Sequence, residues 1–391
     1  MESYKNPYRP GAGTKPLVIA GREVELSKAE TLFKSVTYGA PQRSLMLYGL
    51  RGVGKTVLLN EMERIAESEG YVTEHLEMSE NDCFRRVIAK SSRKMLLRVS
   101  TLENIKDKFK NALGVLKAFT LAMPDGPELK IDVDAIAGVA DSGDLDTDLI
   151  DLLVAVGEAA SESKKPICFL IDEVQYLTEE AVAGLIAASH RISQKSLPVV
   201  FICAGLPQVA ALSGDAKSYA ERLFEFMPVA ELKDGADSEA LTGPLIGTGV
   251  EYSDDAMKIL LDEAKGYPYF IQEFGKQAWN YACNSPISED VAVNASINAI
   301  DELDKSFFKV RMDRATTAER RFMMAMACLG SGVYKSSHVA DKLCVKINSI
   351  GPVRATLISK GFIYSPQHGE IAFTVPLFDE YIRRNFDLSE F

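Results

Sequence analysis

No apolar run in the sequence is long enough to cross a bilayer as a helix, which argues against a membrane-spanning protein. The opening residues, Met-Glu-Ser-Tyr-Lys-Asn-Pro, hold no apolar stretch of the kind a signal peptide needs. The cysteines at positions 83, 168, 203, 283, 328 and 344 form no C-x-x-C pair, and no histidines cluster. A disulfide framework and a zinc site are therefore disfavoured, and a reducing, cytoplasmic setting is expected. His75, His190, His338 and His368 are isolated and read as surface or strand-end residues. Internal repeats and low-complexity segments are missing as well. Nor is there an overall basic surplus. A net charge of −11 excludes a protein that coats nucleic acid with its whole surface. The distribution is uneven, however. Residues 305–361 carry eleven Lys/Arg against three Asp/Glu, a local +8 that leaves −19 for the rest of the chain.

What is present is material for more than one core. At 391 residues and 47% hydrophobic content, two or three domains are expected. Residues 1–22 are rich in Pro and Gly and read as an arm leading into a domain. Helical periodicity follows over 23–38, then a short apolar run at 45–48, a glycine loop, a helix over 55–69 and a strand over 71–76. Strand, glycine loop, helix and strand begin a parallel α/β sheet. Residues 79–165 read as mostly helical, with a short strand at 129–133. Two unbroken apolar runs, 167–171 and 199–204, suit central strands buried on both faces, with a helix over 179–194 between them. A fifth strand is expected at 224–227. From there to about 308 the pattern is helical.

Gly49-Leu50-Arg51-Gly52-Val53-Gly54-Lys55-Thr56 fits G-x-x-x-x-G-K-[ST], after a strand and at the start of a helix, the context a P-loop requires. Glycines let backbone N–H groups curl round a phosphate at the positive end of the helix dipole. Gly49, Gly52, Val53, Gly54, Lys55, Thr56 and Val57 are thus the candidate nucleotide-binding residues. Lys55 is expected to reach the β- and γ-phosphates of ATP, and the Thr56 hydroxyl to hold Mg²⁺. The strand Ile167-Cys168-Phe169-Leu170-Ile171 then delivers two acids, Asp172 and Glu173. Asp172 is expected in the Mg²⁺ shell. Glu173 is expected as the catalytic group that orients or deprotonates the attacking water.

These two motifs, with the spacing of the apolar strands, resemble the AAA+ and STAND superfamily of P-loop ATPases. Ala20-Gly21-Arg22-Glu23-Val24-Glu25-Leu26 resembles the segment that opens many such proteins. The resemblance implies that Gly21 and Arg22 lie near the adenine. Gly266-Tyr267-Pro268 is similar to the G-x-P element of a helical lid, which places Pro268 among the nucleotide-binding candidates. Archaeal origin-recognition initiators are more distant relatives with a similar domain order. Two positions depart from the pattern. The strand after the acidic one ends Ile202-Cys203-Ala204-Gly205, without a polar sensor, and the lid has no G-x-x-R arginine. Arg222, just before the fifth strand, stands where the resemblance implies an arginine finger, acting in cis or in trans, and its other reading is an exposed arginine at a helix end with no role in the site. Trp279, Phe270, Phe274 and Tyr281 recur at helical spacing and read as lid core.

Residues 336–343 and 347–360 read as two helices joined by Cys344-Val345-Lys346, followed by a hairpin from 361–364 and 371–374. Helix, turn, helix and hairpin make a winged helix-turn-helix. Asn348, Ser349, Arg354, Thr356 and Lys360 are expected on or near its exposed face, and the basic segment 305–361 makes duplex DNA its expected partner. The full expectation is an α/β P-loop NTPase core over 1–230, AAA+/STAND-like, with 79–165 a largely helical insertion. A helical lid over 231–312 and a winged helix domain over 313–391 follow. ATP and Mg²⁺ are the expected ligands, and the expected activity is a hydrolytic switch or motor. The alternative is a slow signalling or scaffold ATPase whose winged helix binds protein, and a protein or a second copy of the chain stands beside DNA as a candidate partner.

Overall fold

The computed structural model describes residues 1–100, 107–122, 133–209 and 220–389. The expected strand at 129–133 lies almost wholly outside them. The chain forms two compact units. One consists of Val24–Tyr48 and Leu58–Pro228, the other of Met1–Glu23, Gly49–Val57 and Val229–Phe391.

The first unit is the α/β sheet. Its elements run α1 (Glu23–Thr37), β1 (Ser44–Tyr48), α2 (Lys55–Ser68), β2 (Val72–Glu77), α3 (Phe84–Val99), α4 (Asp107–Leu121), α5 (Leu145–Ser163), β3 (Ile167–Asp172), α6 (Glu179–Gln194), β4 (Val199–Gly205), α7 (Ala220–Leu223) and β5 (Phe224–Pro228). The five strands are parallel in the order β2-β3-β4-β1-β5. Every residue of β3 and of β4 is buried, as continuous apolar strands covered on both faces require. The Phe169 and Phe201 rings stack across these two strands at 5.6 Å. Tyr48, the last residue of β1, is in register with Gly205, the last of β4. Asp172 ends β3 at the same edge of the sheet. The expected helical insertion is α3, α4 and α5. Its polar loop is ordered by the fully buried Asp148, which accepts from the Ser142 and Gly143 amides at 3.0 and 3.1 Å and pairs with Arg85.

The second unit is helical, then mixed. It holds α8 (Ala236–Thr242), α9 (Asp254–Ala264), α10 (Pro268–Tyr281), α11 (Glu289–Glu302) and, after a π-helical turn at Leu303–Phe308, α12 (Lys309–Asp313). There follow α13 (Thr317–Cys328), β6 (Val333–Lys335), α14 (Ser336–Lys342), α15 (Gly351–Ser359), β7 (Ile363–Tyr364), β8 (Glu370–Phe373) and α16 (Phe378–Asn385). The three short strands form an antiparallel sheet in the order β6-β8-β7. The segments 231–312 and 313–391 share one core. Phe270 of α10 meets Phe308 at 6.2 Å, and Phe308 in turn meets Phe378 and Tyr381 of α16 at 5.9 and 5.3 Å. Trp279, Phe270 and Phe274 are buried as expected, but Tyr281 closes α10 on its outer face and is 46% exposed.

The Pro/Gly-rich arm is ordered against this unit. Tyr8 is buried, its hydroxyl 2.7 Å from that of Tyr252, and its ring occupies the space beside Gly275, where a Cβ would stand 2.4 Å from it. Trp279 Nε1 donates to the Glu2 carbonyl at 3.1 Å.

Candidate nucleotide site

The loop that follows β1 belongs to the second unit, and the shape of its backbone depends on its glycines. Gly52 and Gly54 have φ of +83° and +92°, a region open to glycine at little cost. Gly49 is required for a different reason. A Cβ there would lie 2.1 Å from the Val229 carbonyl oxygen. Lys55 opens α2, a helix of 14 residues, and so sets the loop against its N-terminal amides. The Lys55 side chain is 8% exposed and folds back on the loop. Its Nζ donates to the Gly49 and Leu50 carbonyls at 2.9 and 2.8 Å.

Three other segments of the same unit hold this loop from outside. Gly21, at φ +63°, turns the arm so that buried Arg22 donates through Nη2 to the Val53 carbonyl at 3.1 Å and to the Ala230 carbonyl at 2.6 Å. Pro268 is the first residue of α10, and the amide of the next residue, Tyr269, donates to the Gly52 carbonyl at 3.2 Å. The Arg51 amide donates to the Thr374 carbonyl, just past β8, at 2.9 Å. Gly21, Arg22 and Pro268, which the resemblance implied at the nucleotide, here adjoin the loop, and Tyr269 and Thr374 were not foreseen. Their contribution is a backbone amide and a backbone carbonyl, which no residue type announces.

The acid pair belongs to the first unit. Asp172 is buried, and its Oδ1 accepts from the Glu173 amide at 2.8 Å. Glu173 leaves the strand in a left-handed turn at φ +56°, unusual for a residue with a side chain. Its carboxylate accepts from Gln175, whose Oε1 in turn accepts from the Leu206 amide at 3.0 Å. Gln175 was not foreseen. Nearby, His75 of β2 sits 3.2 Å from Glu63. The hydrogen bond to Glu63 holds the imidazole above its ordinary pKa, and Glu63 is held below the usual carboxylate range by the same bond. Cys168 and Cys203, inside β3 and β4, are fully buried, and burial raises both thiols far above the usual range, so neither is a nucleophile. Arg222 is exposed at the end of α7.

In the C-terminal segment, two of the residues expected on or near the exposed face are tied to neighbouring elements. Lys360 is not presented to solvent as a free cation but donates to both oxygens of the buried Glu319, at 2.9 and 3.0 Å. Arg354 donates to Ser365 Oγ at 3.0 Å and is likewise half-buried. Asn348, Ser349 and Thr356 are exposed as expected, as are Lys335 and Lys346.

A five-stranded parallel sheet, with a glycine loop after β1 and an acid-ended β3, defines an α/β P-loop NTPase fold. Residues 18–202 match the family described as AAA ATPase domain, and residues 305–382 match a family described as Domain of unknown function (DUF8462). Among solved structures, a Walker-type ATPase of Pyrococcus abyssi is similar over 96% of this chain and 98% of its own, at 16% identity and a TM-score of 0.58. Orc1 of Aeropyrum pernix in complex with DNA aligns over 95% of this chain and 94% of its own, at 12% identity and a TM-score of 0.46. A RuvB of Thermotoga maritima aligns over 94% and 96%, at 13% identity and a TM-score of 0.44. No curated protein matches the sequence. The domain match covers the stretch that holds the glycine loop and most of the parallel sheet, and the fold agrees with it. Among the described residues no helix is long and apolar enough to cross a membrane, and no group of His, Cys, Asp and Glu is arranged to hold a metal by itself.

Proposed function

We propose that the chain binds ATP with Mg²⁺ and hydrolyses it slowly, as a switch that couples its nucleotide state to its C-terminal segment. The observation that carries this reading is the edge of the sheet. β1 runs into the G-x-x-x-x-G-K-T loop, and β3 ends at the same edge of the sheet on Asp172, with Glu173 in the turn that follows. The donor set suits the ligands: loop and helix amides and an ammonium for phosphate, a hydroxyl and a carboxylate for a hard cation.

In this reading Gly49, Gly52, Val53, Gly54, Lys55, Thr56 and Val57 cradle the phosphates. Lys55 exchanges the Gly49 and Leu50 carbonyls for phosphate oxygens. Thr56 and Asp172 hold the cation, which supplies charge neutralisation at those oxygens. Glu173 orients the water and takes its proton. Gly21, Arg22 and Pro268 shape the rim of the loop, and Arg222 is offered to the phosphates in cis or by a second copy of the chain.

The second half of the reading concerns the C-terminal segment. Helices α13, α14 and α15 with the β6-β8-β7 sheet have the element order of a winged helix, and the +8 of residues 305–361 suits duplex DNA. The engagement of Arg354 and Lys360 inside the segment favours the alternative, a winged helix that docks on protein. Phosphate release from ATP by the purified chain, with Mg²⁺ and then with a chelator in excess, tests the enzymatic part. Release that needs the cation supports it, and no release at saturating ATP would overturn it.

A further inference from the structure

Strand β4 ends on Ile202-Cys203-Ala204-Gly205, so the strand next to the acid pair brings no polar side chain of its own to the site edge. The polar group at that strand exit comes from another element. Gln175 lies in the 3-10 turn Val174–Tyr176 directly after β3. Its Oε1 accepts from the Leu206 amide at 3.0 Å, and its Nε2 donates to the Glu173 carboxylate. A backbone amide can only donate and a carboxylate can only accept, so the two ends of the Gln175 amide are not interchangeable. The geometry also fixes the space it occupies. At Gly205 a Cβ would stand 3.0 Å from Gln175 Oε1, 2.8 Å from Val174 Cγ2 and 2.6 Å from Val209 Cγ2, so a side chain there would crowd the amide out. Glu173 is held from its other side as well, by its left-handed φ of +56° and by the bond from its amide to Asp172 Oδ1.

We infer that Gln175 is a positioning residue for hydrolysis: it fixes the Glu173 carboxylate as a hydrogen-bond acceptor and ties that placement to the exit of β4. This rests on the hydrolytic role proposed above for Glu173. Gln175 does not itself touch nucleotide. It holds the base in one orientation, so that a shift of the β4 exit moves the base with it.

Gln175→Ala and Gln175→Glu in the full-length chain separate this role from simple bracing of the strand. Glutamate keeps an acceptor for the Leu206 amide but turns a second anionic acceptor toward Glu173, so the brace survives while the hold on Glu173 becomes repulsion. Turnover of Mg·ATP, ATP affinity by calorimetry and the melting temperature are read together. Both variants are expected to lose about 10- to 100-fold in kcat, the scale of a misplaced catalytic group, with KM and ATP affinity within about twofold of wild type. Wild-type kcat in Gln175→Ala would overturn the assignment. So would wild-type kcat in Gln175→Glu, which would leave Gln175 a brace. A loss of kcat matched by equal losses in ATP affinity and melting temperature would also overturn it. A wild-type chain that binds ATP but whose turnover is unchanged in Glu173→Gln overturns the proposed role of Glu173, and the role of Gln175 falls with it.

Discussion

Replacing Lys55 with Ala removes the cation that closes the glycine loop at the start of α2. Its ammonium donates to the Gly49 and Leu50 carbonyls at 2.9 and 2.8 Å, and the side chain is buried. Binding ATP exchanges those contacts for phosphate oxygens. Two charge-assisted bonds to phosphate are worth about 3–6 kcal/mol together, at about 1.5–3 kcal/mol each. The bonds given up are to neutral carbonyls and are weaker than those to anionic phosphate by about 1–2 kcal/mol each, so the net loss in Lys55→Ala is about 2–4 kcal/mol. That corresponds to about a 30- to 700-fold rise in the Kd for ATP. Calorimetric titration of ATP and Mg²⁺ into wild type and variant measures it, with circular dichroism confirming that both are folded. An affinity within threefold of wild type would refute the assignment of residues 49–56 as the phosphate cradle.

Lys360→Met removes the partner of Glu319, a carboxylate that is 4% exposed and also caps α13 through the Thr316 amide. Because Lys360 is itself one-quarter exposed, the loss is expected near 1–2 kcal/mol, below the 3–5 kcal/mol of a fully buried pair, and urea denaturation measures it. The His75–Glu63 pair makes stability pH-dependent. The raised imidazole pKa adds stability that is fully present below the unfolded value near 6.5 and is lost as pH rises through the folded value, while lowered Glu63 keeps its share above about 4.3. The wild type is therefore expected to lose up to about 1 kcal/mol more than His75→Gln between about pH 6 and pH 8.5, and parallel pH curves would contradict the pairing. If the C-terminal segment contacts duplex DNA, Lys335→Ala with Lys346→Ala is expected to shallow the slope of log affinity against log salt by up to about two units, at roughly 0.9 per phosphate contact. Full-length protein showing no duplex binding at about 50 mM salt, with ATP or with ADP, would favour the protein-docking alternative.

The parts of the fold that were legible in the sequence are those whose chemistry is local. β3 and β4 were readable because a strand covered on both faces must be apolar throughout, and α6 because its apolar spacing lies within one segment. The glycine loop was readable because its left-handed turns and close approach to Val229 admit glycine alone. β6 has three residues and no alternation to detect. α16 hides Phe378, Tyr381 and Ile382 among four charges, and its amphipathic face becomes clear only against the aromatic cluster it completes. Helical spacing placed Arg354 and Lys360 on a helix but could not say which face was covered. That depends on Glu319 and Ser365, which reach them from other elements. Gln175 escaped for the same reason, since its role depends on an amide at the end of a strand 31 residues further on.

The most direct test is a single-turnover trap. Radiolabelled ATP is bound with Mg²⁺ to wild type and to Glu173→Gln, the complexes are incubated and denatured, and the released nucleotide is separated. Wild type is expected to yield ADP while the variant, binding with similar affinity, returns mostly intact ATP, its hydrolysis slowed on the order of 10²-fold or more by loss of the base. Equal ADP from both proteins would contradict that expectation.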